Sequence, residues 1–260
     1  MNIYLVAIKK FSLRYEYIID HINSLTKNSY KVIGVDGSEL DKTKFNNKLS
    51  IGQLGCAASH VKACKQIFES SQKCGLIIED DVILPSNLDE ILDELESIIK
   101  DDEVIFLYNR NRSRCEYSNF CQSELKHGNK LIYPLEMRNV RTAAGYVIGR
   151  TAAEKIYEFN KDLNIVADDW NQLYLNGCIS NPRILYPNLI RMKGFVSSIG
   201  YSEFDTFVVK ISKLIFKGSL FQFIRKTRLS YLFSKLERNH VFVNKLSELV
   251  NKSDKIKNDL

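Results

Sequence analysis

Leu76-Ile77-Ile78-Glu79-Asp80-Asp81-Val82 sets three apolar residues directly against three carboxylates, with Gly75 before them and Ile83, Leu84 and Pro85 after. A short apolar run bounded by glycine has the pattern of a strand buried on both faces, which belongs to a mainly parallel sheet covered by helices. Three like charges at the carboxyl end of such a strand repel one another unless something positive lies between them. A divalent metal does this most simply, because carboxylate oxygens bind Mg²⁺ or Mn²⁺ and such an ion can in turn clamp a diphosphate. The plainer alternative is a solvated strand end whose acids begin the next loop.

Outward from the triplet, the elements alternate. Ile3 to Ile8 reads as a first strand, Ser12 to Leu25 as an amphipathic helix capped by Ser12, and Tyr30 to Val35 as a second strand ending at the Asp36-Gly37-Ser38 turn. Leu54, Ala57, Ala58, Val61, Cys64, Ile67 and Phe68 recur at helical spacing between Ser50 and Ser70. Beyond Pro85, Leu88 to Ile99 marks a helix with an acidic outer face, and Glu103 to Tyr108 another strand. Residues 109 to 128 read as an irregular loop carrying Arg110, Arg112 and Arg114, which either meets an acidic acceptor or is simply solvated. Lys130 to Tyr133 and Thr142 to Ile148 read as strands, Thr151 as the cap of a helix to about Phe159, Asp168-Asp169-Trp170 as the start of a short helix, and Arg183 to Tyr186 as a late strand. The order predicts a mainly parallel sheet with covering helices, whose ligands bind at the carboxyl ends of the strands.

Bulk properties narrow the class. At 260 residues, with 45% apolar and 26% charged residues, the chain fits one large soluble α/β domain or one domain with an appendage. The start lacks a basic segment before its apolar run, and no window approaches a membrane span, so a cytoplasmic protein is expected. Six cysteines without a CxxC pair and four scattered histidines read as reduced thiols rather than a disulfide framework or a zinc site. The net charge of +6 resides in the tail: from Phe204 to Leu260 there are 12 Lys or Arg against 5 Asp or Glu, against 25 and 26 before it. A near-neutral body argues against a nucleic-acid groove.

Several blocks, in order, resemble glycosyltransferase family 25, the lipooligosaccharide galactosyltransferase-like group. They are Leu5-Val6-Ala7-Ile8 with Arg14, Val35-Asp36-Gly37, the run from Leu49 through Gly52-Gln53-Leu54-Gly55-Cys56 to Ser59-His60, and Ile77 to Val82. Thr142-Ala143-Ala144-Gly145-Tyr146-Val147-Ile148 with Arg150 and Val166-Ala167-Asp168-Asp169-Trp170 complete them. The resemblance implies an α/β GT-A-type fold over residues 1–203, a mixed, mainly parallel sheet with helices on both faces, together with inverting transfer from a UDP-sugar and Mn²⁺ or Mg²⁺ held by a DxD-like motif whose first acid here is Glu79. The expected activity is transfer of a hexose, galactose from UDP-galactose foremost, onto a bacterial lipooligosaccharide, lipopolysaccharide or capsule glycan. The runner-up is a catalytically silent relative acting as an adhesion or scaffold protein, which would have eroded acidic blocks; both are intact. A metal-dependent phosphoesterase would need further His or Asp ligands that the chain does not supply.

On that reading Asp81 is the first choice as metal ligand, with Glu79 as the second. Glu79, Asp80, Asp36, Arg14 and His60 lie on the donor side, and the split of roles within the triplet stays open. Inversion needs a base opposite the leaving group, for which Asp168 is favoured and Asp169 is the alternate; two acids at a helix start can also be only a cap. Asp36 can accept from uracil or ribose, or merely form its turn, and Ser59 and His60 can support the donor site from behind. Residues 204–228 alternate apolar and basic residues, as in a basic amphipathic helix, so 204–260 is expected to be a helical extension. It either docks on an anionic membrane surface, placing the enzyme on the inner face of the cytoplasmic membrane near a glycolipid acceptor, or packs on protein.

Overall fold

The computed structural model describes residues 1–45, 49–110, 115–118 and 123–195. The expected tail, 204–260, and two of the loop arginines, Arg112 and Arg114, fall outside them. The elements below belong to one compact unit, Met1–Tyr117 with Cys121–Ile199.

Ten strands and five α-helices are described, besides three short 3₁₀ turns: β1 Asn2–Val6, α1 Ser12–Leu25, β2 Tyr30–Val32, α2 Ile51–Phe68, β3 Cys74–Glu79, β4 Val82–Ile83, α3 Leu88–Ile98, β5 Glu103–Phe106, β6 Ser123–Glu124, β7 Lys130–Ile132, β8 Gly145–Gly149, α4 Arg150–Asn160, α5 Trp170–Leu175, β9 Asn181–Tyr186 and β10 Arg191–Met192. Eight strands form one sheet in the order β2-β1-β3-β8-β5-β9-β7-β6. β1 runs parallel to β2 and β3, and β5 parallel to β9, while β8 lies antiparallel between β3 and β5 and β7 antiparallel beside β9. The sheet is therefore mixed and mainly parallel, with six strands pointing one way.

Both faces are covered, which explains the unbroken apolar runs. Leu76 and Ile78 of β3 join Ile18 and Ile22 of α1 and Leu88 to Leu95 of α3 in one core. Ile77 points to the other side, with Ala63, Cys64 and Ile67 of α2, Ala152 and Ile156 of α4, and Trp170. All three β3 residues are fully buried, each contributing roughly 2 kcal/mol of transfer free energy. At the end away from the acids, Glu103 of β5 and Arg183 of β9 form a buried bidentate ion pair, with Arg183 Nη2 2.8 Å from Glu103 Oε2. Packing of a fork against a carboxylate satisfies both charges, which could not be buried singly.

Several boundaries differ from the sequence expectation. β2 ends at Val32, and just beyond it Gly34 passes the end of β1 so closely that a Cβ there would stand 2.0 Å from the Ala7 carbonyl oxygen. α1 begins at Ser12 with Phe11, not Ser12, in the capping position, and α4 begins at Arg150 with Gly149 there rather than Thr151; neither cap makes a side-chain hydrogen bond. β8 begins only at Gly145, after the left-handed backbone of Thr142.

α2 starts as a capping box: the Gln53 N–H donates to Ser50 Oγ at 3.2 Å and the Ser50 N–H to Gln53 Oε1 at 2.8 Å. Ser50→Ala is expected to lower stability by about 1 kcal/mol, seen as a lower urea midpoint with an unchanged slope. The first turns of α2 then press on the Asp36-Gly37 turn. A Cβ on Gly37 would meet the Ile51 carbonyl oxygen at 1.9 Å, and one on Gly55 the Gly37 nitrogen at 2.6 Å. Ser59 ties the two together, accepting from the Val35 N–H at 3.0 Å and donating to the Gly55 carbonyl at 2.7 Å.

Candidate active site

The carboxyl end of β3 meets the residues entering β8. Val6 of β1 stands opposite Glu79, Gly145 stands opposite Ile78, and the Glu79 N–H donates to the Ala144 carbonyl at 2.9 Å. Glu79, Asp80 and Asp81 thus leave the sheet beside the end of β1 on one side and the 142–144 segment on the other.

The triplet divides. Asp80 and Asp81 share Arg14, from the first turn of α1: Arg14 Nη2 contacts Asp80 Oδ1 and lies 3.1 Å from Asp81 Oδ2. Glu79 turns instead to α2, with Oε1 3.4 Å from His60 Nε2. Burial raises the Asp80 carboxyl above its ordinary range, against the pull of Arg14. Burial, then the neighbouring Glu79 charge, pushes Asp81 up to about 6, again opposed by Arg14. Asp81 Oδ1 is buried without a hydrogen-bond partner among the described residues. A desolvated carboxylate oxygen with an unused lone pair is what a hard divalent cation satisfies, so these residues fit the ion that the sequence implies.

The loop after the triplet is pinned from two directions. β4 pairs antiparallel with β10, and the Lys193 N–H donates to the Asp81 carbonyl at 2.7 Å. From α1, Tyr17 Oη donates to the Val82 carbonyl at 3.0 Å, and His21 Nε2 accepts from the Leu84 N–H at 2.8 Å. Burial, then the Lys193 charge, lowers the His21 pKa, which suits a ring nitrogen that must stay an acceptor. Sequence reading missed Tyr17, His21 and Lys193; the spacing of Tyr17 and His21, one turn apart on α1, was the available signal.

Asp168 and Asp169 do different things. Asp169 Oδ1 accepts from the Gln172 N–H at 3.2 Å and caps α5. Asp168 Oδ2 accepts from the Thr142 N–H at 3.2 Å. Thr142 has φ +82°, a left-handed backbone that a β-branched residue rarely adopts, and its carbonyl accepts from Trp170 Nε1 at 3.1 Å. Trp170 is anchored edge-on against Phe106 and Tyr146, with ring centres 4.8 and 4.9 Å away. The orientation of Asp168 is thus referred back to the aromatic core through a strained residue.

Cys56 lies where the two acidic blocks converge. Burial, followed by the charges of Glu79, Asp168, Asp80 and Asp81, drives its thiol well above the ordinary range, which favours the protonated thiol when no cation is near. His60 behind it is buried, with Nδ1 2.9 Å from Tyr146 Oη and the two rings stacked.

Asp36 stands apart, in the loop after β2, where it caps the 3₁₀ turn Gly37–Glu39. Its Oδ1 accepts from the Ser38 N–H and hydroxyl at 2.9 and 2.6 Å, and its Oδ2 from Lys10 Nζ at 2.9 Å. The Ser38 bonds first, and Lys10 after them, hold its carboxyl down at about 2. The turn-forming work is therefore present, and Asp36 also lines a cleft of about 440 Å³ with Ala7, Ile8, Lys10, Val32 and Gly34.

Among the described residues no helix is long and apolar enough to cross a membrane. The family model described as Glycosyltransferase family 25 (LPS biosynthesis protein) matches residues 1–171, a span that holds every acidic side chain placed above. No curated protein matches the chain.

Proposed function

The chain belongs to glycosyltransferase family 25, a family of LPS biosynthesis glycosyltransferases, and from that premise we propose that it transfers galactose from UDP-galactose, with inversion, to a bacterial lipooligosaccharide, lipopolysaccharide or capsule glycan. The observation that supports this most is the convergence of Glu79, Asp80 and Asp81 with Asp168 around Cys56 at the carboxyl end of β3. Ligands of open α/β sheets bind at such ends.

Asp81, through the unpartnered Oδ1, would hold Mn²⁺ or Mg²⁺, with Asp80 beside it on Arg14. When bound, the ion stabilises negative charge on the departing diphosphate. Arg14 restrains the two carboxylates and neutralises part of their repulsion. The cleft at the ends of β1 and β2 takes the nucleoside, with Lys10 and Asp36 at its polar margin. Asp168, fixed through Oδ2 by Thr142, presents Oδ1 to the acceptor hydroxyl and removes its proton as that oxygen attacks the anomeric carbon. Asp169 is bound to the helix cap and serves position rather than proton transfer.

A panel of UDP-sugars and glycan acceptors, read as UDP release with Mn²⁺ or with EDTA, tests this reading. UDP-galactose is expected to turn over fastest and EDTA to abolish the signal. Full activity in EDTA removes the metal from the mechanism, and silence with every donor leaves the scaffold alternative.

A further inference from the structure

We propose that Cys56, His60 and Glu79 form a second cation site, for a borderline-soft divalent ion of the Zn²⁺ type, distinct from the Asp81 oxygen assigned to the hard ion of transfer. One ligand atom from each, the Cys56 sulfur, a His60 ring nitrogen and a Glu79 carboxylate oxygen, all lie within 4.8 Å of one another. Cys56 and His60 are four residues apart on α2, so the helix itself holds their side chains on one face. Glu79 comes from the end of β3, where its backbone is fixed to Ala144.

The independent pointer is His60. Its residue is only 3% exposed, and Nε2 has no hydrogen-bond partner among the described residues, although Glu79 Oε1 stands 3.4 Å away. The other ring nitrogen, Nδ1, is engaged by Tyr146 Oη, and the ring is stacked on that of Tyr146. When Nδ1 carries the proton and donates it to the tyrosine oxygen, Nε2 presents its lone pair between Cys56 and Glu79. A second hydrogen bond that fixes the ring and tautomer is the usual support of a metal-ligating histidine.

The donor set identifies the ion class. A sulfur, an imidazole nitrogen and a carboxylate oxygen suit Zn²⁺, which accepts all three in a tetrahedron, whereas Mg²⁺ selects oxygens alone. Three protein ligands leave a fourth position for water or a substrate oxygen. The charges of Asp80, Asp81 and Asp168 around Cys56 favour a cation here as well. On binding, the Cys56 thiol becomes a thiolate and its proton passes to the buffer.

Cobalt provides a visible stand-in for zinc. Titration of the reduced, metal-free full chain with Co²⁺ is expected to give a thiolate-to-cobalt charge-transfer band that saturates near one equivalent and is bleached by Zn²⁺. Cys56→Ser should abolish the band, His60→Gln should weaken cobalt binding at least about tenfold, and Asp81→Asn should leave the band in place. A wild type without the band, or a band unchanged in Cys56→Ser, overturns the site. Should Cys56→Ser not fold, Glu79→Gln decides by melting temperature: Zn²⁺ is expected to raise that of the wild type and not that of the variant, and equal rises overturn the proposal. Failure of cobalt binding with Mn²⁺-dependent UDP release intact sinks this site alone. Cobalt binding without UDP release from any donor sinks the transferase mechanism alone.

Discussion

Asp168→Asn is expected to lower kcat by roughly 10²–10⁴-fold, the usual contribution of a positioned general base, with the donor KM changed little. The substitution keeps the shape of the side chain and an oxygen that can accept from the Thr142 N–H, now 3.2 Å from Asp168 Oδ2. The strained Thr142 and the Trp170 anchor behind it are therefore undisturbed, and stability should move by less than about 1 kcal/mol. What is lost is the basicity of the carboxylate. Asp169→Asn provides the contrast, since asparagine caps helices as well as aspartate does and the bond to the Gln172 N–H can be remade. That variant should keep most of its turnover. Single-turnover measurements on both variants, with donor binding followed separately, check the assignment. The reverse ranking would move the base to Asp169, and equal, near-normal rates would remove both from proton transfer.

The same pair shows what sequence could and could not convey. An Asp-Asp before a tryptophan signals a helix start through local chemistry alone, and α5 does begin there. Which acid caps and which remains available depends on Thr142, a residue 26 positions away that enters only when β8 inserts between β3 and β5. Buried strands were legible because an unbroken apolar run needs only to be covered on both faces, and Leu76-Ile77-Ile78 is. Strand direction was not: the antiparallel course of β8 leaves no mark on Gly145 to Gly149, since a strand buried on both sides reads alike either way. The split of the triplet, with Asp80 and Asp81 on Arg14 and Glu79 on His60, likewise follows from which helix reaches each carboxylate.

Asp81→Asn is expected to act in opposite directions on stability and on activity. In the folded chain the Asp81 carboxyl is pushed from 3.8 up to about 6, first by burial and then by Glu79. Such a group supports the fold fully below its unfolded value and withdraws that support as pH rises through the folded one. Metal-free wild type should therefore lose stability between about pH 4 and pH 6.5 through this residue and level off above. The displacement corresponds to about 3 kcal/mol at full ionisation, and the partial exposure of the site and the nearby Arg14 charge make about 1–2 kcal/mol the reasonable expectation. Asparagine carries no charge to desolvate, so the metal-free variant should melt roughly 2–6 °C above wild type at pH 7.5 and show a flatter pH profile in this range. Mn²⁺ should reverse the order, raising the melting temperature of wild type and not of the variant, because the buried Oδ1 that would receive the ion is then an amide group. Turnover should fall about 10³-fold or more, as expected when stabilisation of the leaving diphosphate is removed. Melting curves with and without Mn²⁺ across this pH range, alongside UDP release, separate the possibilities. A variant less stable than wild type without metal would show that the contact with Arg14 outweighs desolvation, and an undiminished response to Mn²⁺ would place the ion on other residues.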